Sequence, residues 1–414
     1  MSHLTFKVLI IGNVWPEPTS SASGSRMMQL IQLFLKQNHH VFFCSPASLS
    51  EFSVRLNDFG IETAHVNIND GAFDEYLKKI KPDFVIFDRF MSEEKFGWRV
   101  VETCPDAIRI LDTEDLHCLR FARQESVQKN IPFSISSLKN EIAKREIASI
   151  LRCDISLIIS EFEIELLKQF FKIDSSILLY LPFLIDINAL KKPLQFDERI
   201  NFISIGNFLH PPNKDAVIQL KKHIWPKIKK NIPEAELNIF GSYLPDDIVQ
   251  LNNKKEGFII KGRANDAFEE LSNHKVLLAP LRFGAGLKGK LIEAMQCGTP
   301  SVTTDIGTEG MMFDLEWNGF IENDFNDFSE SAIKIYTEKS VWEKSVAKGF
   351  EILRKKFDMN FHSNVFSESI MKIKGDIKKH REENFFGALF LHHQMQSTKY
   401  FSKWIEEKNK KGNT

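Results

Sequence analysis

The chain has 414 residues, enough for about two to three domains of ordinary size. Hydrophobic residues make up 43% and charged residues 26%, a globular balance that excludes a disordered, collagenous or fibrous chain. Lysine and arginine total 54 against 55 acidic residues, a formal net charge of -1, so no overall positive field draws the protein to nucleic acid.

Cysteine usage and apolar runs indicate the compartment. Five cysteines form no CxxC pair and are odd in number, which argues against a disulfide framework or a structural zinc site. The apolar run at residues 8–11 is too short for a signal peptide, and no stretch approaches the ~20 apolar residues that span a bilayer. We therefore expect a soluble cytoplasmic protein, at most peripheral to a membrane.

Short apolar runs alternate with helical periodicity through the first half of the chain. Buried strands are predicted at residues 7–11, 41–44, 84–87, 109–111 and 156–159. Helices are predicted at residues 25–36, 92–103 and 138–151. This β-α-β rhythm predicts a parallel sheet with helices on both faces.

A second series follows a charged, proline-interrupted seam near residues 182–199. Its predicted strands are 201–205, 236–240, 257–261, 276–280 and 301–303, and its predicted helices are 214–228, 266–272 and 290–296. We predict an α/β fold of two Rossmann-like, doubly wound domains, residues 1–197 and 198–350, facing across a cleft. Ligands of such sheets bind outside the carboxyl ends of the strands.

Residues 351–414 are predicted to form a C-terminal helical extension. From Lys372 onward this segment carries ten lysines and arginines against five acidic residues, with Phe385, Phe386, Phe390 and Trp404 among them. Two interpretations stay open. The helix packs back on the protein, in part on the N-terminal domain, or an amphipathic helix contacts a membrane surface or a protein partner.

The strongest local signal is the glycine-rich stretch LRFGAGLKGKLIEAMQCGTP. Gly284 and Gly286 let backbone N–H groups approach a ligand, and Lys288 and Lys290 stand at the start of a predicted helix. A helix N-terminus with basic side chains suits a diphosphate. Glu293, one turn along, is placed to accept hydrogen bonds from vicinal hydroxyls, as a carboxylate does with ribose in other nucleotide folds. The alternative is tight turns and solvated lysines.

These residues carry a family resemblance. The segment that starts at Gly284 resembles the donor-site signature of GT-B glycosyltransferases, closest to family 4, the group 1 retaining transferases. Residues 206–213 and 307–310 resemble two further donor-domain loops, and residues 18–26, with Gly24, resemble the acceptor-domain glycine loop. The resemblance implies transfer of a sugar from a nucleotide-sugar donor to an acceptor hydroxyl, with retention of anomeric configuration.

The resemblance assigns donor-side roles at matching positions. Lys290, with Lys288 beside it, would bind the donor diphosphate and stabilise the leaving nucleoside diphosphate. Glu293 would hold the ribose, and Gly284 and Gly286 would offer backbone N–H groups to phosphate or sugar.

Two further positions and one departure concern the same signature. Glu309 and Gly310 would lie near the phosphates. Many family members place a sugar-contacting glutamate eight residues before the ribose glutamate, and this chain has Ala285 there. The departure indicates the subgroup whose loop reads Gly-x-Gly-x-Lys/Arg-x-Lys.

Other donor-side candidates follow predicted strands of the second half. Gly206, Asn207 and Asn213 share one loop, where the asparagines either hydrogen-bond donor phosphate or cap the loop. Arg263 either approaches the base or phosphate or is a solvated loop arginine.

Acceptor-side candidates follow a predicted strand of the first domain. Asp115 or His117 would orient or deprotonate an acceptor hydroxyl, the alternatives being a helix N-cap and a solvated surface. Glu146, on the predicted helix at 138–151, is interpreted as part of a charged face.

No metal or cofactor is expected, because no His/Cys/Asp cluster has metal spacing and lysines with a helix dipole neutralise a leaving diphosphate. The expected partners are a nucleotide-sugar donor and an unidentified glycan, lipid or small-molecule acceptor, without nucleic acid. Two other functions stay open: a nucleotide-sugar epimerase or hydrolase on the same fold, and a non-catalytic nucleotide-sugar-binding protein.

Overall fold

The computed structural model describes residues 5–412, apart from the side chains of residues 395, 396, 411 and 412. Within this range the chain forms two parallel sheets, of seven and six strands, followed by helices at the C-terminus. This confirms the predicted pair of doubly wound domains with a helical extension.

The first sheet has the strand order β3-β2-β1-β4-β5-β6-β7. Its strands are β1 Lys7–Ile11, β2 His40–Ser45, β3 Glu62–His65, β4 Phe84–Asp88, β5 Ile108–Asp112, β6 Ile155–Ile158 and β7 Leu178–Tyr180. Its helices are α1 Ala22–Lys36, α2 Ala72–Ile80, α3 Arg89–Thr103, α4 His117–Lys129, α5 Glu141–Arg152 and α6 Glu161–Gln169. Along β1, Leu9 and Ile11 join one core cluster and Val8 and Ile10 another, because alternate side chains of a strand face opposite sides of the sheet.

The second sheet has the strand order β10-β9-β8-β11-β12-β13. Its strands are β8 Ile200–Ile205, β9 Leu237–Phe240, β10 Phe258–Gly262, β11 His274–Ala279, β12 Ser301–Thr303 and β13 Gly319–Ile321. Its helices are α7 Pro211–Gln219, α8 Trp225–Asn231, α9 Asp246–Val249, α10 Ala267–Asn273, α11 Gly289–Gln296, α12 Asp305–Thr308, α13 Phe325–Thr337 and α14 Lys339–Lys356. Val276 and Leu278 of β11 pack on one face, and Leu277 and Ala279 pack on the other.

Three C-terminal helices return to the first domain. They are α15 Met359–Gly375, α16 Ile377–Glu383 and α17 Phe385–Gly412. On α15, Phe366 meets Phe34 of α1 edge to face, with ring centroids 5.5 Å apart. The last helix, α17, packs against α3 and α5. None of the helices described is long and apolar enough to cross a membrane.

The differences from the prediction have physical causes. All ten predicted strands are present, but β3, β7 and β13 are missing from the prediction. Each is a short edge strand with partly exposed residues. β3 and β13 lack the continuous apolar run of a strand buried on both faces, and the apolar run that contains β7 leads directly into the proline-interrupted seam. The helix predicted to begin at residue 138 begins at Glu141, because Asn140 caps it by accepting a hydrogen bond from the Ala143 N–H, at 3.0 Å.

Candidate functional site

A cavity of about 890 Å³ lies between the two sheets. Its walls are the loops that follow β1, β4 and β5 in the first domain and β8, β9, β10 and β11 in the second. Seven strands therefore point their carboxyl ends at one cleft, the position at which open α/β sheets bind ligands. The volume lies in the range of small-molecule sites.

The start of α11 forms one wall of this cavity. The N-cap residue is Lys288, and no side chain caps the helix; the Leu291 N–H donates to the Lys288 carbonyl, and the Gly289 and Lys290 N–H groups are left for a ligand or solvent. The Lys290 ammonium donates to Asn213 Oδ1 at 2.8 Å, and the Asn213 amide donates to the Asn207 carbonyl at 2.7 Å. Gly206 lies against this pair, because an added Cβ would stand 2.7 Å from Lys290 Nζ.

Lys288 is buried in this wall, and Lys290 is partly buried. Burial lowers the pKa of both Lys288 and Lys290 to about 8, and for Lys290 the nearby Glu293 opposes the shift. Lys288 donates to the Gly286 carbonyl at 2.7 Å, and neither lysine forms a close ion pair with a carboxylate of the described residues. Two amines at a helix N-terminus, without a paired carboxylate, are suited to receive an anion.

Glu293 lies one turn further along α11 and also lines the cavity. Burial raises the pKa of its carboxyl, and Lys290 opposes the shift. Its carboxyl oxygens accept no hydrogen bond from the residues described, which leaves both free for a ligand hydroxyl.

The glycine loop before α11 is in contact with the first domain. Gly286 has a left-handed φ of +62°, and an added Cβ would stand 2.8 Å from Asp115 Cβ, so two independent conditions favour glycine there. Its N–H, predicted to serve phosphate or sugar, donates instead to Glu163 Oε1 at 2.7 Å. Glu163 also accepts from the Leu116 N–H, and burial raises its pKa to about 8.

Glu309 and Gly310 are placed outside the cavity wall. Arg123 of α4 binds both carboxylate oxygens of Glu309 at 2.7 Å and donates to the Gly284 carbonyl at 2.9 Å. Gly310 packs against Ser160 of the first domain. In this arrangement both residues join the domains, and their predicted place beside the phosphates stays a prediction.

Asp115 and His117 stand opposite the glycine loop. His117 Nδ1 lies 3.4 Å from Asp115 Oδ1 and 3.5 Å from Glu146 Oε1. Arg120 binds both oxygens of Asp115, at 2.8 and 3.2 Å. Burial raises the pKa of Asp115, but Arg120 and His117, with smaller contributions from other cations, outweigh it and leave the pKa below its usual value. Asp115 does not cap α4, whose N-cap residue is Leu116.

Glu146 is predicted from the sequence to belong to a solvent-exposed charged face, and the structure differs. It is 1% exposed and accepts hydrogen bonds from the His117 and Cys118 N–H groups, at 2.9 and 3.0 Å. A carboxylate on these first N–H groups of α4 stabilises the helix end and fixes the position of His117. Helical spacing alone does not reveal this, because the partner helix is remote in sequence.

Three further cavity residues have no individual role assigned from the sequence. Arg89 and Glu114 directly follow β4 and β5, with left-handed φ values of 66° and 64° that are uncommon for residues other than glycine. Burial and, next, Asp112 raise the pKa of Glu114 to about 8. His210, from the second domain, has its pKa lowered to about 4 by burial and Arg120. The sequence signal for these residues is their position after predicted strands. The left-handed backbone of Arg89 and Glu114 cannot be predicted from the sequence.

The remaining candidates line the cavity near its first-domain wall. Gly24 lies in the first turn of α1, where its N–H donates to Ser21 Oγ at 3.1 Å. Arg263 stacks over Phe52 at 4.4 Å and donates to Thr19 Oγ1 at 2.8 Å. Among the residues that the structure describes, no three His, Cys, Asp or Glu side chains are grouped to hold a metal ion.

Comparisons with known proteins agree with this fold. The family described as "Glycosyl transferases group 1" matches residues 199–338. Sucrose-phosphate synthase from Thermosynechococcus elongatus is 15% identical with a TM-score of 0.67, covering 89% of this chain and 99% of its own. TarM is 12% identical with a TM-score of 0.69, at coverages of 89% and 99%. HepE of Anabaena in complex with UDP-glucose is 12% identical with a TM-score of 0.66, at 89% and 100%.

One curated protein, an uncharacterized 44.6 kDa protein in the cps region of Klebsiella pneumoniae, is 24% identical over 189 residues. The match covers 43% of this chain and 49% of that protein, about half the length of each. The fold is therefore that of GT-B glycosyltransferases, as the sequence motifs indicate. The family match over the second domain supports a glycosyltransferase of group 1.

Proposed function

We propose that the protein transfers a sugar from a nucleotide-sugar donor to an acceptor hydroxyl with retention of anomeric configuration, without a metal ion, in the cytoplasm. The observation that carries the proposal is the convergence of Lys288, Lys290 and Glu293 on one cavity wall, facing Asp115 and His117 across the cleft. The known folds add support, since HepE is described in complex with UDP-glucose and TarM in complex with UDP.

The donor diphosphate is assigned to the start of α11. Lys290 leaves Asn213 for a phosphate oxygen and neutralises the charge that develops on the leaving nucleoside diphosphate. The uncapped N–H groups of the helix add a second source of positive potential, so the leaving group is stabilised without a metal. Glu293, whose oxygens are free, accepts hydrogen bonds from the ribose hydroxyls.

The acceptor hydroxyl is assigned to the wall opposite. Asp115 stays ionised at neutral pH because its pKa is lowered, and it holds the His117 ring that orients or deprotonates the hydroxyl. Burial and, next, Asp112 raise the pKa of Glu114 to about 8, so the carboxyl is mostly protonated at neutral pH, and we assign it as a hydrogen-bond donor to a sugar oxygen.

The contacts between the domains limit hydrolysis of the donor. Arg123 and Glu163 hold the glycine loop against the first domain, which closes the cleft on that side. A closed cleft excludes water from the sugar carbon while the acceptor is aligned.

A two-stage experiment tests the proposal. Thermal shifts with a panel of UDP-, GDP- and ADP-sugars identify the donor, since a ligand at a hundredfold excess over Kd stabilises the native state by roughly 2.7 kcal/mol. Incubation of that donor with glycan and lipid extracts must then give a new glycoside, with nucleotide released only when acceptor is present. Turnover of donor alone would indicate an epimerase or hydrolase, and binding without turnover a non-catalytic protein. NMR of the product anomer decides retention.

A further inference from the structure

The last helix, α17, presents its apolar residues outward. Phe385, Phe386, Tyr400, Phe401 and Trp404 are between 58% and 69% exposed. At 3.6 residues per turn these side chains lie within about 160° of the helix circumference, on one side of the axis. Leu389 and Phe390, which are 41% and 39% exposed, lie on the same side. We call this set the aromatic face.

The opposite side of α17 packs on the protein through small and polar residues. An added Cβ on Gly387 would stand 2.2 Å from the Leu151 carbonyl, so the helix backbone lies directly on the end of α5. Gln394 and Ser402, 8% and 4% exposed, donate to the Glu94 carbonyl and to Asn69 Oδ1. Glu406 pairs with the buried Arg99. These contacts fix the rotation of the helix about its axis. The aromatic face therefore points away from the protein because the opposite side is held against it.

The charges on α17 indicate whether the aromatic face meets a second copy of the protein or a lipid surface. The helix carries five lysines and two glutamates. Both glutamates already have cationic partners, Arg99 for Glu406 and Lys410 for Glu407. Lys403 and Lys408 lie at the two borders of the aromatic face and form no ion pair with a described residue. A second copy of this helix would bring lysines against lysines, whereas an anionic surface attracts them.

We propose that α17 lies flat on an anionic lipid surface, with its aromatic face in the interfacial layer and its lysines at the headgroups. Interfacial helices typically have phenylalanine and tryptophan on one side, polar residues on the opposite side, and lysines at the border between them. From Phe385 to Trp404 the face extends about 29 Å along the helix at 1.5 Å per residue, which suits a flat layer better than a pocket. The proposal does not depend on the donor-site assignment.

The protein contains its own reporter for the test. Of its six tryptophans, five are at most 7% exposed, and Trp404 is 58% exposed. A shift of emission to shorter wavelength on addition of vesicles, with quenching by brominated lipid, therefore reports the position of Trp404. The full-length protein is mixed with phosphatidylglycerol/phosphatidylcholine vesicles and with phosphatidylcholine vesicles, and bound protein is measured by co-sedimentation.

We expect binding to the anionic vesicles, with quenching of Trp404 and weakening at high salt. The double variant Phe385→Ser/Phe386→Ser should lower the partition coefficient at least about tenfold, since burial of two aromatic side chains is removed. The control Phe313→Ser/Phe361→Ser removes side chains that are 65% and 63% exposed elsewhere, and should change the partition less than twofold.

Three results would overturn the proposal. One is no binding to anionic vesicles, and another is equal binding by the double variant and its control. The third is an emission shift of Trp404 that rises with protein concentration in the absence of lipid, together with a dimer in light scattering, which would assign the face to a second copy. Because the replaced side chains are exposed, unfolding midpoints of all variants should match wild type and exclude misfolding as the cause.

Discussion

Lys290 should take up a fraction of a proton when a nucleoside diphosphate enters the cavity, and Lys290→Met should remove that share of the uptake. In the empty site, burial lowers the pKa of Lys290 to about 8, so the amine is partly neutral in mildly alkaline solution. The anion binds the ammonium form and raises its pKa again. Binding is therefore coupled to protonation, and affinity falls as the pH rises above about 8.

The size of this effect follows from the titration curve. A group with a pKa near 8 in the free protein, restored to the ordinary lysine value of about 10.4 in the complex, takes up about 0.1 proton at pH 7, about 0.5 at pH 8 and about 0.9 at pH 9. Lys288, with the same pKa, adds up to as much again. For each lysine that contributes, the dissociation constant should therefore rise about fivefold between pH 8 and pH 9, and by nearly tenfold for the next pH unit only if the amine stays protonated in the complex.

Calorimetric titration with UDP and GDP measures the uptake directly. Runs at pH 7, 8 and 9, in pairs of buffers with different ionisation enthalpies, separate the proton count from the binding heat. Lys290→Met should lower the uptake at pH 8 by about half a proton and weaken binding at pH 7 at least about tenfold. Lys254→Met, at an exposed lysine outside the cavity, is the control. Equal proton uptake and equal affinity in Lys290→Met and wild type would refute the reasoning.

Three further substitutions test the fold, the donor wall and the domain contact. Arg26→Met leaves the fully buried Asp112 without its partner at 2.8 Å and should cost about 3–5 kcal/mol in urea unfolding; a loss below about 1 kcal/mol would contradict this. Gly206→Ala brings a Cβ within 2.7 Å of both Lys290 Nζ and Asn213 Nδ2, so these two side chains must shift and nucleotide affinity should fall about tenfold while the unfolding midpoint changes little. Arg123→Ala removes both hydrogen bonds to Glu309, so small-angle scattering should show a larger radius of gyration; an unchanged radius would mean that other contacts hold the domains.

Most strands can be predicted from the sequence, because a parallel strand that is buried on both faces consists of a short run of apolar residues. In β4 every residue is buried, and its apolar run is plain in the sequence. In β3, which is an edge strand, the sequence ETAH is half exposed and carries no such run. Prediction therefore succeeds at the centres of the sheets and misses three of the four edge strands; the fourth, β10, begins with the apolar run FII and is predicted.

The donor wall is readable from the sequence because its residues are close together in the chain. Lys288, Lys290 and Glu293 lie within two turns of one loop–helix junction. The facing wall is assembled from separate loops: Glu114 depends on a left-handed backbone, and His210 comes from the other domain. Tertiary packing brings these residues together, and a local sequence pattern contains no information about it.

The central claim is that this cavity binds a nucleotide sugar through the start of α11. A crystal structure of the protein with the nucleotide sugar that gives the largest thermal shift tests it most directly. We predict a diphosphate oxygen within hydrogen-bond distance of Lys290 Nζ, about 2.7–2.9 Å, and the ribose hydroxyls on the Glu293 carboxylate. A nucleotide bound elsewhere, or one whose phosphates point away from α11, would contradict the account.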